Sequence, residues 1–285
     1  MTTTHPATPA PASSPAPGPI ATNPTLAGTF GALLLRDLTV LRKNLREFIP
    51  RTILQPLLLV FVFTYVFPKI GQSIGGSGAG SAEFSTLLVA GVIGTAILFQ
   101  GIQSTALPLV QEFGYTREIE DRVLAPLPIE LVAIEKIVAG AIQCLISALI
   151  VFPIAKYVPA TPVDLKITWW ILLTFAPLAC LFSAAIGMTF GTIFQPRTVP
   201  ILFGVIIVPM TFLGCVYYSW QSLEPIRWLQ IAVLVNPLVY ICEGFRAALT
   251  PVDHMPLWVI YSVTIGGTAV FTSIAIRFFK RRVIA

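Results

Sequence analysis

The chain has 285 residues, of which 55% are hydrophobic and only 11% are charged, and its formal net charge is +5. Because soluble domains carry about 25% charged residues, these charges are too few to cover a soluble protein of this length. The composition therefore excludes a soluble enzyme, a nucleic-acid-binding protein and a disordered chain as the main body, and it indicates an integral membrane protein.

The N-terminal stretch is rich in Pro, Ala, Thr and Ser and contains no Lys or Arg up to residue 29. It offers too few apolar side chains to form a core, so we predict that residues 1–29 are a disordered cytoplasmic tail. A signal peptide is not expected, because the stretch has neither a basic start nor a long apolar run.

Residues 30–51 have apolar side chains at helical spacing with basic residues between them. This pattern predicts an amphipathic helix that lies in the membrane interface and contacts lipid. Pro50 predicts a break before the first membrane span. The basic residues that define the polar face are Arg36, Arg42, Lys43 and Arg46.

Six apolar segments follow, most of them with the ~20 residues that a bilayer-spanning helix needs. They lie at residues 52–68, 84–109, 131–155, 167–194, 199–219 and 257–277. Pro200 and Pro209 predict a kink in the fifth span, and Gly187 with Gly191 predicts close helix packing in the fourth. The predicted fold class is an all-α integral membrane protein, with a transmembrane domain over residues 30–282.

The basic residues are distributed unevenly between the two sides of these spans. With the N-terminus in the cytoplasm, 13 of the 18 Lys and Arg residues fall on the cytoplasmic side. Cytoplasmic loops are enriched in Lys and Arg, so we predict that both termini are cytoplasmic. All five tryptophans fall near the opposite side, as expected for an aromatic belt at the outer interface.

The stretch between the fifth and sixth spans, residues 220–255, is largely apolar. Two further spans and a turn would need ~40 residues or more, and one further span would place the basic C-terminus outside. We therefore predict a re-entrant helical hairpin that enters the outer leaflet and returns. Such backbone has to be covered by protein or by a water-filled cavity.

The sequence lacks the motifs of several kinds of active site. It has no G-x-x-x-x-G-K-[ST] phosphate-binding loop, so the chain is not expected to hydrolyse ATP by itself. Its two histidines, and four cysteines without C-x-x-C spacing, predict neither a metal site nor a disulfide framework. We expect no catalytic residue and no cofactor in this chain.

The predicted spans have no charged residue in their central parts, although several contain amides and hydroxyls. Ion-coupled carriers usually need ionisable groups within the membrane, so this pattern argues against secondary transport. Gln55, Gln100 and Gln103 are candidates for a polar substrate path; the alternative is that they bond helix to helix.

The highest local density of charge lies between the second and third spans, at residues 111–128. Two pairs of opposite charge in this segment have the i,i+4 spacing of ion pairs on a helix. Mixed charges beside apolar residues are typical of a docking surface for a protein partner, and the alternative is a solvated linker helix. The candidate docking residues are Glu112, Tyr115, Arg117, Glu118, Glu120, Asp121 and Arg122.

A second distinctive string, N-P-L-V-Y-I-C-E-G-F-R, lies in the predicted hairpin at residues 236–246. Glu243 and Arg246 have i,i+3 spacing and can pair on one helix face, which lowers the cost of burying both charges. Such a pair either holds the hairpin together or takes part in a substrate exit path. The candidate residues are Asn236, Pro237, Tyr240, Glu243 and Arg246.

Together these features resemble the permease subunit of type-2 ATP-binding cassette (ABC) transporters over residues 30–282. The resemblance rests on four features. They are the basic amphipathic helix, a segment at 115–128 similar to the family's R-E…R-L…P coupling segment, the N-P-L-x-Y-x-x-E-x-x-R string, and six spans with an outer hairpin. Members of similar size export lipo-oligosaccharides, polysaccharides, teichoic acids or drugs.

The resemblance implies a complex of two permease chains, identical or different, with two cytoplasmic ABC ATPase subunits that bind ATP and Mg²⁺. Each ATPase would dock on residues 111–128 of one permease, and closure of the ATPases would open an outward path between the permeases. It also implies an inner (plasma) membrane protein that exports an amphipathic substrate. The Pro/Ala-rich tail and the Leu, Val and Ala usage hint at a bacterial source, and the composition predicts no nucleic-acid partner.

Two other functions stay open from the residues alone. A secondary carrier for drugs or sugars would show ion-coupled flux without an ATPase. A membrane-bound transferase acting on lipid-linked substrates would need acidic or His side chains at one membrane face. The groups available for that role are Glu224, Glu243, Asp253 and His254.

Overall fold

The computed structural model describes residues 25–70, 79–116, 127–159, 165–194, 198, 201 and 203–284. Across these residues the chain is helical and has no β-strand. Most of the predicted tail lies outside the described residues, but its last four residues already belong to the first helix. Thr25 caps that helix, because its Oγ1 accepts a hydrogen bond from the Gly28 N–H at 3.2 Å.

The helices are numbered here in chain order. Their bounds are α1 Leu26–Lys43, α2 Leu45–Val60, α3 Ala79–Gln111, α4 Ile129–Tyr157, α5 Trp169–Ile193, α6 Val208–Phe212, α7 Arg227–Ala232, α8 Pro237–Leu249 and α9 Leu257–Ile284. Helix α2 continues through wider π-helical turns at Phe61–Val66 to Lys69, and α3 continues through Glu112–Thr116. A π-helical segment, Phe203–Ile207, leads into α6. Short 3₁₀ turns, Gln221–Leu223 and Val233–Val235, flank α7.

The predicted amphipathic segment is divided between α1 and the start of α2. The break falls at Asn44, which has φ −98° and ψ 14° and whose N–H bonds to the carbonyls of Val40 and Leu41 at 3.1 Å each. The expected break at Pro50 is wrong, because Pro50 lies inside α2. Asn readily adopts this sparsely allowed turn conformation. Helix α2 continues through Pro50, although the proline removes one intrahelical hydrogen bond and its ring crowds the preceding turn.

Helix α1 packs against α4. Leu41 is buried. The basic residues Arg36, Arg42, Lys43 and Arg46 are exposed. This division into an apolar and a basic face is the one that an interfacial helix needs.

Five helical stretches in the described ranges are long and apolar enough to cross a membrane. They are Leu45–Val66, Glu83–Gly114, Ile129–Ile154, Trp169–Ile193 and Leu257–Val283, and they overlap the first four predicted spans and the sixth. The predicted fifth span lies partly outside the described residues. Its described part is helical over residues 203–212 and then turns at Cys215, whose φ of 55° cannot continue a right-handed helix. A sixth span therefore stays a prediction.

The chain bends by 98° between Arg227–Val235 and Pro237–Leu249. The bend is at Asn236, whose Oδ1 accepts a hydrogen bond from the Leu238 N–H at 3.0 Å. Pro237 takes the first helical position, where its missing N–H removes no hydrogen bond. This geometry belongs either to one broken span or to a re-entrant loop, and the re-entrant hairpin at 220–255 stays a prediction.

Helix α3 is the centre of the bundle and packs against α2, α4, α5 and α8. Its contact with α5 is close at Gly187, where a Cβ atom would lie 2.6 Å from the Ile102 Cα. Thr105 crosses the same contact and donates from Oγ1 to the Ala184 carbonyl at 3.0 Å. The close packing predicted for the fourth span is therefore confirmed.

Candidate functional site

Polar side chains gather at two levels along α3, one at Glu112 and the other near Gly91, which lies 12 residues after the start of the helix at Ala79. The part of the bundle around Glu112 is called the Glu112 end. The part around Gly91 is called the Glu243 end, because Gly91 packs against Val216 in the segment that Glu243 and its neighbours hold. Gly91 and Glu112 are separated by about 30 Å along the helix. The two candidate sites therefore lie on opposite sides of the bundle.

At the Glu112 end, the structure describes only the start of the predicted docking segment. Residues Arg117, Glu118, Glu120, Asp121 and Arg122 lie outside the described residues, as does the side chain of Tyr115. Glu112 is described and is buried, with 6% of its surface exposed. Its side chain is therefore not available as an exposed docking contact within this chain.

Glu112 forms a buried ion pair with Lys136 in the first turns of α4. The Lys136 Nζ donates to Glu112 Oε1 at 2.7 Å and lies 2.7 Å from Oε2. Glu135, beside Lys136, is fully buried as well. Residues 117–126 connect the two helices that this pair joins, so the pair holds together the two ends of the predicted docking segment.

At the Glu243 end, Glu243 and Arg246 form the predicted ion pair on one face of α8, and both side chains are fully buried. The pair also contacts backbone on both sides of α8. Glu243 accepts hydrogen bonds from the N–H groups of Trp220 and Met255 at 2.9 Å each. Arg246 donates from Nη2 to the Cys215 carbonyl at 3.0 Å.

These bonds connect three parts of the chain that are distant in sequence: the turn after α6, helix α8 and the segment before α9. A buried charge that loses its partner is costly, whereas a buried pair with further hydrogen bonds is tolerated. The spacing in the sequence predicted the pairing, but it carried no signal for Trp220, Met255 and Cys215, because these residues contribute backbone groups.

The other residues of the string stabilise the bend before α8. The Asn236 Nδ2 donates to the Met210 carbonyl at 2.7 Å, in addition to the cap that its Oδ1 provides. The Tyr240 hydroxyl donates to the Leu234 carbonyl at 2.9 Å. The string is thus a structural unit that fixes the 98° bend against α6.

The three candidate glutamines meet in one cleft between α2 and α3. Gln55, Gln100 and Gln103 line it together with Thr52 and Thr95 and with apolar residues of both helices. The Thr52 hydroxyl donates to Gln100 Oε1 at 3.4 Å. The cavity volume is about 30 Å³, which is room for about two water molecules and far less than a pocket for a drug-sized ligand.

A metal centre finds no support in the described ranges, where no group of three or more His, Cys, Asp or Glu side chains has a suitable arrangement. The four cysteines are buried and unbridged. The polar features of the described residues are ion pairs, contacts at helix ends and a small polar cleft, all within a bundle of apolar helices.

The sequence of this chain is similar to those of known membrane transport proteins. The model of the ABC-2 type transporter family matches residues 29–250. The inner membrane transport permease YadH of Escherichia coli K12 is 26% identical over 187 residues, which are 64% of this chain and 70% of that protein. The YadH proteins of Escherichia coli O157:H7 and Shigella flexneri match with the same identity and coverage. No solved structure gives a significant match.

The family match covers most of the chain and includes both candidate sites. Five long apolar helices and a membrane-permease family together make this a multi-pass membrane protein. The chain belongs to the ABC-2 type transporter family, whose domain is the transmembrane component of an ABC transporter.

Proposed function

We propose that this chain is the permease subunit of an ATP-driven exporter in a bacterial inner (plasma) membrane. Its substrate is amphipathic: a lipid-linked glycan, a lipo-oligosaccharide or a drug. The observation that carries the proposal is the family match over residues 29–250, which includes the segment at 111–128 and the string at 236–246. The similarity to an inner membrane transport permease supports the location.

In this proposal the chain has six spans and both termini are cytoplasmic, so the Glu112 end faces the cytoplasm. Exposed tryptophans at the Glu243 end support an outer interface there, because Trp is enriched where a helix leaves the bilayer core. These are Trp169, Trp170, Trp228 and Trp258, which are 62%, 60%, 73% and 73% exposed.

The energy comes from a separate ABC ATPase, which binds ATP and Mg²⁺. Two copies act on two permease chains, and each docks on residues 111–128. The sequence supports a separate ATPase subunit, because this sequence has no phosphate-binding loop.

Closure of the ATPases displaces the docking segment. Because the Glu112–Lys136 pair joins α3 to α4, the two helices move together. Both residues are buried, so their contact is little screened by solvent and resists separation. Helix α1 packs on α4 and leads into α2, so the same motion reaches the first span. The cleft of Gln55, Gln100 and Gln103 then lies between helices that move, where it supplies hydrogen-bonding groups to the polar part of a substrate.

The test is purification of the tagged chain from its native membrane in mild detergent, followed by an ATPase assay of the eluate. We expect a P-loop ATPase to co-purify. The double variant Glu118→Lys/Asp121→Lys should lose it, whereas the control Glu224→Lys/Asp253→Lys, at exposed residues of the Glu243 end, should retain it. A chain that purifies alone and still transports would contradict the proposal.

A further inference from the structure

Arg282, in the last turn of α9, makes contacts that its basic neighbours do not share. Its Nη1 donates to the carbonyls of Gly191 and Phe194 at 3.0 Å each and lies 3.4 Å from the Thr192 carbonyl. These groups are at the C-terminal end of α5, where helix carbonyls lack intrahelical partners and the helix dipole favours a cation.

The same guanidinium group also contacts α3. Its Cζ lies 4.4 Å from the centre of the Phe113 ring, within the range of a cation–π interaction. The Phe113 ring packs in turn against Phe279 of α9, with 5.9 Å between ring centres. Phe113 follows Glu112 directly, so Arg282 lies next to the residue that anchors the docking segment to α4.

A further ion pair, between Lys280 and Glu130, ties the end of α9 to the first turn of α4. It is about 40% exposed on both sides, and a pair so exposed contributes little. Arg277 and Arg281 are exposed. Of the basic residues at the end of α9, Arg282 is therefore the one that connects the ends of two other helices.

We infer that Arg282 is a positioning residue for energy coupling, which joins the docking segment to the ends of α5 and α9. This inference rests on the proposed function. Displacement of the docking segment moves Phe113, and the guanidinium group carries that movement to the carbonyls that end α5. Because the predicted fifth span follows α5 after a short connection, Arg282 extends the motion from α3 and α4 to the remaining spans.

A coupling role for Arg282 differs from the general role of a cytoplasmic basic residue. Topology requires only positive charge near the end of the last span, and Arg277, Lys280 and Arg281 supply it without Arg282. A coupling role requires this side chain, because the carbonyl contacts and the ring contact need one planar group that donates in its plane and stacks on its face.

The experiment is hydrogen exchange on the complex of the full chain with its ATPase, with and without Mg-ATP and vanadate. In the wild type, nucleotide should change exchange in peptides that cover Phe113 and in those that cover residues 191–194. In Arg282→Ala the change at residues 191–194 should fall about fivefold or more, as expected when a coupling interaction is lost. The control Arg281→Ala should behave like the wild type.

A purely structural role gives a different result: exchange at residues 191–194 rises in Arg282→Ala with and without nucleotide, and the nucleotide-dependent difference persists. That result would overturn the inference. If Arg282→Ala does not fold, Phe113→Leu provides the test. It removes the aromatic ring that contacts Arg282 and Phe279, keeps an apolar side chain, and should reduce the same difference. An unchanged difference in Phe113→Leu then counts against the inference. Absence of a co-purifying ATPase from the wild type would instead contradict the proposed function.

Discussion

Lys136 and Glu112 form a buried ion pair between helices that the predicted docking segment connects, with 2.7 Å between Nζ and Oε1. The two residues are 24 positions apart, and nothing in their local sequence marks them as partners. The pair joins α3 to α4 next to the segment on which we propose that the ATPase docks.

Replacing Lys136 with Ala should destabilise the protein by about 3–5 kcal/mol, because it leaves the Glu112 carboxylate buried without its cation. Thermal unfolding in detergent would measure the loss. The exchange variant Glu112→Lys/Lys136→Glu should recover part of it. Lys166→Ala is the control, since Lys166 is exposed and should change stability by less than about 0.5 kcal/mol. Equal stability of Lys136→Ala and the control would contradict this prediction.

Replacing Glu243 with Ala should be at least as costly, about 3–5 kcal/mol, because Arg246 is left buried without its counter-charge. Export should slow as well. In the wild type the Trp220 and Met255 N–H groups donate to different oxygens of Glu243. Glu243→Gln keeps one acceptor oxygen for one of these two groups and should lose less than Glu243→Ala. Glu224→Ala removes an exposed carboxylate and serves as the control. Wild-type stability and export in Glu243→Ala, at equal expression, would be incompatible with a structural role for the pair.

Asn236 has two separable functions, a helix cap and a bond to α6. Asn236→Ala loses both and should cost more than the ~1 kcal/mol of a cap alone. Asn236→Asp keeps the acceptor for the Leu238 N–H but loses the Nδ2 donor to the Met210 carbonyl. It should therefore cost at least as much as loss of the Met210 bond, because a carboxylate oxygen then faces the Met210 carbonyl. Chemical unfolding of the three proteins measures both, and identical midpoints for the wild type and Asn236→Asp would show that the Met210 bond contributes nothing.

Gly187→Ala tests the contact between α3 and α5. The added methyl would lie 2.6 Å from the Ile102 Cα and carbonyl oxygen, so the helices must separate, at a cost of about 1–3 kcal/mol. Gly266→Ala in α9 meets no atom within 4 Å and should be neutral or stabilise by up to ~1 kcal/mol through helix propensity. If both variants unfold at the same temperature, the helices are not in contact as closely as described.

Much of the fold follows from patterns that are local in sequence. Runs of about 20 apolar residues are sufficient to mark spanning helices, because the bilayer sets their length, and five such helices are present. The Glu243–Arg246 pair was predictable for the same reason, since residues three apart on a helix lie on one face. The sequence does not predict the break at Asn44, because the proline at 50 is the stronger local signal for a break. Only the geometry of the whole helix shows that α2 accommodates Pro50.

The sequence by itself determined the class of the protein, the position of most apolar helices, the small-residue contact of α5 and the pairing within α8. All of these depend on neighbours within one helix turn or on total apolar length. Only the tertiary structure decided that Glu112 is buried against Lys136, that the glutamines share one cleft and that Arg282 meets Phe113 and the end of α5. Their partners are backbone carbonyls or side chains on other helices, and the packing of the bundle, rather than sequence spacing, brings them together.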